Sequence, residues 1–405
     1  MLLFFLPLQQ TRSFTYFLMK KIAIIPLRAG SKGIKNKNKR RLLGRPLFTW
    51  ILSEAIFSNL NEIYIFTDDQ WIIDFVNEEY SWSPKVKVLL RSAKSATDTA
   101  STEMAIEELA QHLDFKFDML FLLQATSPLT TSGDINSAIK MLEETEFDSV
   151  LSVVKTHRFI WSKQGKSLNY DYLSRPRRQD FEGLFIENGA IYGVKIDTYK
   201  KTLNRLGGKI GILEMDDDTL TEIDEPNDFL IIEQLLSNRI SKCKKSVNPI
   251  RCFVMDVDGV LTDGTVSYSN QGEFTKNFNF IDGMGISLLN EHGITPIVIT
   301  SEKSEIVVQR AKKLGIENTN IGVKDKYAFL TKLLNESGLS RNEIAYIGDD
   351  INDLANLLSS KLSFSPANGT NKVLEASDVV LKKTGGEGAI REAIEILIKF
   401  NQRFT

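Results

Sequence analysis

Lys21-Ile-Ala-Ile-Ile-Pro-Leu-Arg-Ala-Gly-Ser-Lys-Gly33 begins with an apolar run and breaks abruptly into a glycine- and lysine-bearing loop. Ile22–Pro26 is too short for a helix and rich in β-branched residues, so it reads as a buried strand. Downstream, Ile63–Thr67, Val86–Leu89, Met119–Leu123 and Ser149–Val153 read as further strands. Helical patterns over Pro46–Phe57, Ser101–His112 and Asp134–Glu144 lie between them. Strands alternating with helices predict a mainly parallel sheet covered on both faces. Ligands of such sheets bind beyond the carboxyl ends of the strands, which directs attention to the loops after Ile25, Thr67 and Leu123.

The loop after the first strand continues as Ile34-Lys-Asn-Lys-Asn-Lys-Arg-Arg41. Glycines let backbone N–H groups turn around an anion, and the cations neutralise it. Neither a Walker loop, GxxxxGK[ST], nor a GxGxxG dinucleotide turn is present. The arrangement suits a nucleoside triphosphate that releases pyrophosphate. On charge alone, KNKNKRR reads equally as a solvated basic loop; its position at a strand's carboxyl end favours phosphate.

The chain of 405 residues has room for two or three domains. Lys+Arg 50 against Asp+Glu 52 leaves a net charge of −2, which gives no general attraction to nucleic acid. His112, His157 and His292 are the only histidines and lie far apart, so the chemistry falls to carboxylates, lysines and arginines. Cys243 and Cys252 fit no redox or zinc spacing and suit a reducing compartment such as the cytoplasm. No apolar run reaches the roughly 18 residues that span a bilayer. Residues 1–18 lack a basic start and a small-residue cleavage site, so they read as a leader upstream of a natural start at Met19. Asn238–Pro249 is basic, polar and poor in large apolar residues, as a linker is. Beyond it a second series of strands is expected at Arg251–Met255, Pro296–Thr300, Ile344–Ile347 and Val379–Leu381.

Cys252-Phe-Val-Met-Asp-Val-Asp-Gly-Val-Leu-Thr262 opens that second half with an apolar strand running into two carboxylates. Asp256 and Asp258 share a face if extended, and a turn at Gly259 can bring both onto one ligand. One carboxylate can then attack a phosphoryl group while the other protonates the leaving oxygen. Thr300 and Ser301 end the next strand, Lys326 precedes a helix, and Gly348-Asp349-Asp350-Ile-Asn-Asp353 ends a third strand with an acid cluster. Nucleophile, hydroxyl, lysine and acids therefore all fall at strand ends.

The first half resembles the CMP-N-acylneuraminate (sialic acid) synthetases. The resemblance rests on P-x-R-x-G-S-K-G-I-x-x-K-N from Pro26 to Asn38, Arg91–Thr99, Leu123–Leu129, Arg175–Asp180, Glu187–Tyr192 and Glu222–Phe229, all collinear. It implies that Arg28, Gly30, Ser31, Lys32, Lys37, Asn38 and Arg91 hold CTP, with Lys37 and Arg28 offsetting charge on the leaving pyrophosphate. Gln124, Arg178, Gln179 and Asn188 would line the sugar-acid pocket, as amides and arginines suit a carboxylated polyol. Asn188-Gly189 also reads as a simple turn, and Gln124 as a loop cap. Where the family usually has Asp-x-Asp for Mg²⁺, this chain has Glu222 and Asp224, of which Asp224 is the firmer ligand. The acids at 216–218 read as a solvated loop.

The second half is similar to the haloacid dehalogenase (HAD) phosphatases. Phe280–Gly285 and Gly385–Arg391 further resemble the small-cap phosphatases of KDO 8-phosphate and nonulosonate 9-phosphates. This implies Asp256 as nucleophile, Asp258 as acid/base, Thr300 and Lys326 on the phosphate, and Mg²⁺ on Asp256, the Asp258 carbonyl and Asp349. It also implies a homotetramer, since such enzymes close their site with a neighbouring subunit. Ser301-Glu302-Lys303 is similar to the nonulosonate 9-phosphate group, with Glu302 toward the sugar; Glu302 also reads as a helix N-terminal acid.

The expected fold class is α/β. A Rossmann-like nucleotidyltransferase domain (19–237, mixed and mainly parallel sheet) precedes linker 238–249 and a HAD-like Rossmannoid domain with minimal cap (250–405). The whole resembles the two-domain animal-type synthetases. It implies a bifunctional, Mg²⁺-dependent enzyme in both domains. One domain couples CMP from CTP to N-acylneuraminate; the other frees the sugar acid from its 9-phosphate (N-acylneuraminate or KDN). No nucleic-acid or membrane partner is expected. The alternatives are activation of legionaminate, pseudaminate or KDO, and a second domain that is only a tetramerisation scaffold.

Overall fold

The computed structural model describes residues 19–404 apart from Ser31, Lys32, Asp98, Ser246 and Gln271. The leader 1–18 and two of the expected nucleotide ligands, Ser31 and Lys32, thus lie outside the described residues.

Seven strands form the first sheet: β1 (Lys21–Leu27), β2 (Glu62–Thr67), β3 (Val86–Leu90), β4 (Met119–Leu123), β5 (Ser149–Thr156), β6 (Leu184–Lys195) and β7 (Ile210–Glu214). Their order is β3-β2-β1-β4-β6-β5-β7. β1 pairs in parallel with β2 and β4, whereas β6 runs antiparallel to both β4 and β5. Buried apolar residues pack both faces: Ala23, Ile25 and Phe121 on one, Ile22, Ile24 and Leu122 on the other. This is why β1 and β4 read as continuous apolar runs and not as alternating ones.

β6 was not expected from the sequence. Glu187-Asn188-Gly189 interrupts its apolar pattern, and the pairing register with β5 shifts between Leu151 and Val153. At Gly189 φ is +68°, and a Cβ there would lie 2.4 Å from a Glu222 carboxylate oxygen. A strand residue with that conformation and so close a neighbour has to be glycine.

The second sheet is fully parallel, in the order β12-β11-β8-β13-β14-β15. The strands are β8 (Cys252–Met255), β11 (Thr295–Ile299), β12 (Asn318–Asn320), β13 (Ile344–Ile347), β14 (Leu362–Ser365) and β15 (Val379–Val380). Between β8 and β11 the chain inserts only a hairpin, β9 (Ser267–Ser269) with β10 (Gly272–Thr275), before the Phe280–Glu291 helix. That hairpin is the expected minimal cap.

Asn238–Ile240, the start of the segment read as a linker, close the Pro226–Ile240 helix, and Ser241–Lys245 continue as a 3-10 turn. The turn is fastened to the second domain: the Cys243 thiol donates to the Ser359 carbonyl, and Lys244 Nζ lies 2.6 Å from Asp378. The two domains share an apolar cluster in which Leu42, Trp50, Phe229 and Ile232 pack with Leu354 and Ala355. Beside it, Arg45 and Asp325 form a buried two-point ion pair, both bonds at 2.9 Å.

Two candidate active sites

In the first sheet the chain leaves β1 toward β2 and β3 on one side, and the connection from β3 then crosses back to β4 on the other side of β1. Loops from β1 and β4 therefore part at their carboxyl ends, where open α/β sheets bind ligands. A cleft of about 310 Å³ opens there, lined by Arg28, Gly30, Lys37, Asn38, Arg91 and Gln124, together with Thr97 and Thr126. The loop's shape has local causes. Asp68 accepts from the Ala29 N–H at 2.7 Å. Asn36 takes a left-handed conformation, φ 55°, to open the Lys37–Lys39 3-10 turn, a conformation asparagine tolerates better than most residues. Gly33 passes so near the Asp224 carbonyl that a Cβ would lie 2.6 Å from its oxygen.

Lys37 Nζ donates to the Ile223 carbonyl at 3.0 Å and to Asp224 at 3.1 Å. Arg91 is buried and donates to the Ser95 carbonyl. Its desolvation lowers its pKa, opposed by Asp68 and Glu108. Glu222 is pushed above the ordinary carboxylate range, first by burial and then by Asp224 nearby. Two neighbouring carboxylates offer the hard oxygen donors that suit a divalent cation.

The remaining residues expected in the sugar pocket sit elsewhere. Asn188 has no exposed surface. Its Oδ1 accepts from Ser152 at 2.6 Å and its Nδ2 donates to Thr219 at 2.9 Å. Arg178 and Gln179 form part of a 3-10 turn with no buried residue, and neither lines the cleft. Sequence reasoning did not single out Asp68, which lies in a loop without a motif of its own, or Thr97, although it falls within the Arg91–Thr99 block.

The second site is denser. Asp256 follows β8, Thr300 follows β11, and Asp349 and Asp353 follow β13, so three neighbouring strand ends converge. Asp256, Thr300 and Asp349, together with Asp258, Ser301, Glu302 and Lys326, line a cavity of about 260 Å³, and Asp353 lies behind them on Lys326. Lys326 Nζ lies 2.8 Å from both Asp256 and Asp353, with all three side chains buried. The Val257 N–H donates to the other Asp256 oxygen at 2.7 Å. Asp353 also accepts from the Tyr346 hydroxyl at 2.7 Å and, within a reciprocal cap with Asp350, fixes the turn after β13.

Oxygens of Asp256, Asp349 and Asp353 lie within 4.8 Å of one another, the one such acid group among the described residues. Asp256 is raised well above the usual range by burial and by Asp353, against the pull of Lys326. Asp349 is pushed up to about 7, by burial and then by Asp353. Crowded, desolvated carboxylates of this kind favour a bound divalent cation, so the residues fit Mg²⁺. Gly259 lets the motif turn: φ is +79°, and a Cβ would fall 2.0 Å from an Asp349 oxygen.

Lys276, just past the hairpin, was not anticipated. Its ammonium pairs with Asp258 and lies 3.3 Å from Glu273. Burial opposes its charge, but the two acids outweigh burial and raise its pKa. Asp258 Oδ2 is buried and has no protein partner among the described residues. A lysine 18 residues beyond the motif aspartate carries no periodic or spacing signal, so only the folded hairpin reveals it.

Comparison with known proteins agrees with this two-site geometry. A family described as cytidylyltransferase matches residues 22–242, and one described as haloacid dehalogenase-like hydrolase matches residues 294–394. The chain is 32% identical over 395 residues to N-acylneuraminate cytidylyltransferase of Oncorhynchus mykiss, covering 94% of this chain and 89% of that protein. It is 30% identical over 394 residues to N-acylneuraminate cytidylyltransferase A of Danio rerio, covering 94% and 89%. Over 156 residues it is 35% identical to 3-deoxy-D-manno-octulosonate 8-phosphate phosphatase of Haemophilus influenzae, covering 38% of this chain and 87% of that protein.

Proposed function

The chain belongs to the cytidylyltransferase family and carries a haloacid dehalogenase-like hydrolase domain; from that premise we propose that it is a bifunctional enzyme of sugar-acid activation. The second domain hydrolyses the 9-phosphate of N-acylneuraminate or KDN, and the first joins the freed sugar acid to CMP. The observation that carries the two-activity reading is Asp256, Asp258, Thr300 and Lys326 in one cavity, with Lys326 held between Asp256 and the buried Asp353. A scaffold has no use for a buried lysine balanced between two buried acids.

In the first site the anomeric hydroxyl attacks the α-phosphorus of CTP, the bond to the β-phosphate oxygen breaks, and pyrophosphate leaves. Arg28, Lys37 and Arg91 draw the triphosphate to the cleft by charge, Gly30 and Asn38 line it beside them, and Ser31 and Lys32 are assigned to the nucleotide by family resemblance. Gln124, which lines the same cleft, would meet the sugar acid; Arg178 and Gln179 are assigned to the sugar by family resemblance, whereas Asn188 is spent on Ser152 and Thr219. Catalysis here is positioning and charge neutralisation. Asp224 and Glu222 would hold Mg²⁺, which when bound lowers the charge of the leaving group.

In the second site an Asp256 oxygen attacks the phosphorus and the P–O bond to the sugar breaks, leaving an aspartyl phosphate. Asp258 gives its proton to the departing sugar oxygen. It then takes a proton from the water that attacks the phosphorus, and Asp256 and inorganic phosphate are released. Lys326 and Thr300 hold the phosphoryl oxygens, and Glu302, which lines the same cavity, would meet the sugar. Asp256, Asp349 and the Asp258 carbonyl would hold Mg²⁺, which neutralises phosphoryl charge.

We extend the reading to a homotetramer built through the second domain. Phe280, Ile281 and Met284, exposed by 78%, 58% and 54%, put an apolar face beside the hairpin, as a subunit interface requires. Among the described residues both cysteines are free and no helix is long and apolar enough to cross a membrane. Free thiols and the use of CTP fit a cytoplasmic setting.

The test supplies Mg²⁺, CTP and N-acetylneuraminate 9-phosphate together and follows phosphate, pyrophosphate and CMP-sugar separately. Phosphate should appear first, then pyrophosphate with CMP-sialate. Asp256→Asn should stop phosphate release yet leave CMP transfer to free sialic acid. Wild-type protein that consumes CTP only when free sialic acid is supplied would refute the phosphatase half.

A further inference from the structure

A second cavity, about 560 Å³, lies between the domains, a size that falls in the ~300–1,000 Å³ range of ligand pockets. Lys39, Arg41 and Trp71 come to it from the first domain, and Ser301, Lys324 and Asn352 from the second. It meets the phosphatase cavity at Ser301, Asp350 and Asn352, which line both. A ligand whose phosphate reaches Asp256 therefore has its remainder directed along these three side chains toward the domain boundary.

Unused polar capacity marks this path. Asn352 Nδ2 donates to Ser301 Oγ at 3.0 Å, while Asn352 Oδ1 is buried and unpartnered among the described residues. Arg45, which lines the cavity, is only 3% exposed, and its Nη1 likewise has no partner. Buried polar atoms normally find a partner, so a pair left open along one cavity calls for a ligand or water. Most of the cations in the walls are already matched. Lys39 lies 2.7 Å from Asp69, Lys324 lies 2.7 Å from Glu78, and Arg45 is held by Asp325. Arg41 differs: its Nη1 donates to the Gly44 carbonyl at 2.7 Å, and it pairs with no carboxylate among the described residues.

We propose that this interdomain cavity is the subsite for the sugar-acid portion of the phosphatase substrate, with Arg41 of the first domain binding its carboxylate. The polar walls take the hydroxylated body, and Asn352 accepts from a hydroxyl next to the phosphate. The first domain thereby serves as the specificity wall of the second. Its Lys37–Arg41 segment presents Lys37 and Asn38 to the CTP cleft and Lys39 and Arg41 to this cavity. The proposal rests on the phosphatase reading above.

The experiment uses the full-length chain with two substrates, N-acetylneuraminate 9-phosphate and p-nitrophenyl phosphate, which has no carboxylate. A charge-assisted contact of this kind is worth roughly a 10- to 100-fold change in affinity. Arg41→Gln should raise KM for the sugar-acid phosphate by about that factor relative to the aryl phosphate, with kcat at saturation retained. Arg41→Lys should recover part of the loss. Equal KM changes for both substrates, or none for either, would overturn the subsite. Wild-type protein that cleaves the aryl phosphate but not the sugar-acid phosphate would remove the substrate reading. Cleavage of neither would remove the phosphatase reading beneath it.

Discussion

Asp325→Ala removes one half of the buried ion pair that joins the domains, and its cost follows from what remains. Arg45 is 3% exposed and Asp325 likewise 3%. The guanidinium bonds both carboxylate oxygens at 2.9 Å and lies over the rings of Trp50 and Tyr327, 4.3 and 4.6 Å from their centroids. Burial opposes the Arg45 charge, but Asp325 outweighs it and raises the pKa above its ordinary value. Removing the carboxylate leaves a largely desolvated charge without its partner, a loss of about 3–5 kcal/mol. At roughly 2–4 °C per kcal/mol for a domain of 150–250 residues, the melting temperature should fall by about 10 °C. Calorimetry of the full chain should show wild type unfolding in one transition and Asp325→Ala in two, since the lost pair lies on the domain boundary. The combined Arg45→Met, Asp325→Leu variant leaves no buried charge and should recover most of the loss. A fall below about 2 °C for Asp325→Ala, or a combined variant no better than the single one, would refute the argument.

Gly259→Ala puts a methyl against the Asp349 carboxylate in a conformation unfavourable to alanine. Phosphate release should drop roughly 100-fold or more while CMP transfer by the other domain persists, as parallel assays of the two products would show. Asn188→Ala leaves Ser152 and Thr219 without their amide partner. Chemical denaturation should register a loss of about 1–3 kcal/mol. Burial pushes the Glu79 carboxyl above its ordinary range, so its ionised form weakens the fold above the ordinary carboxylate pKa of about 4.3. Glu79→Gln can still accept from the Lys324 and Asp325 N–H groups that Glu79 now holds. It should raise the melting temperature at pH 7, with the gain vanishing below pH ~4, where the wild-type carboxyl is protonated folded and unfolded alike.

What the sequence made legible, and what it did not, divides along a physical line. β1, β4, β8 and β13 are buried on both faces, so composition alone marks them, and each ends in the polar residues that the fold assembles into a site. Asp256, Thr300 and Asp349 could be named because strand-end position and chemistry coincide, and Lys326 because it stands at a helix start. β6 was missed because a register shift and the constrained Gly189 break its pattern. Asn188 sits in the same interruption, where sequence alone does not separate an amide serving a ligand from one serving Ser152 and Thr219. Lys276 and Arg45 escaped for a different reason: each acquires its partner from a segment remote in sequence, Asp258 across a hairpin and Asp325 across a domain boundary. Chemistry borne by a strand end is local and therefore readable, whereas chemistry borne by the meeting of two elements exists only after folding. That distinction bears on this enzyme's specificity. The atoms that cleave a phosphate are encoded in motifs, but the wall proposed to recognise the sugar acid is assembled where two domains with independent motifs touch. Shortening or swapping the first domain should therefore change which phosphate ester is preferred before it changes whether any is cleaved.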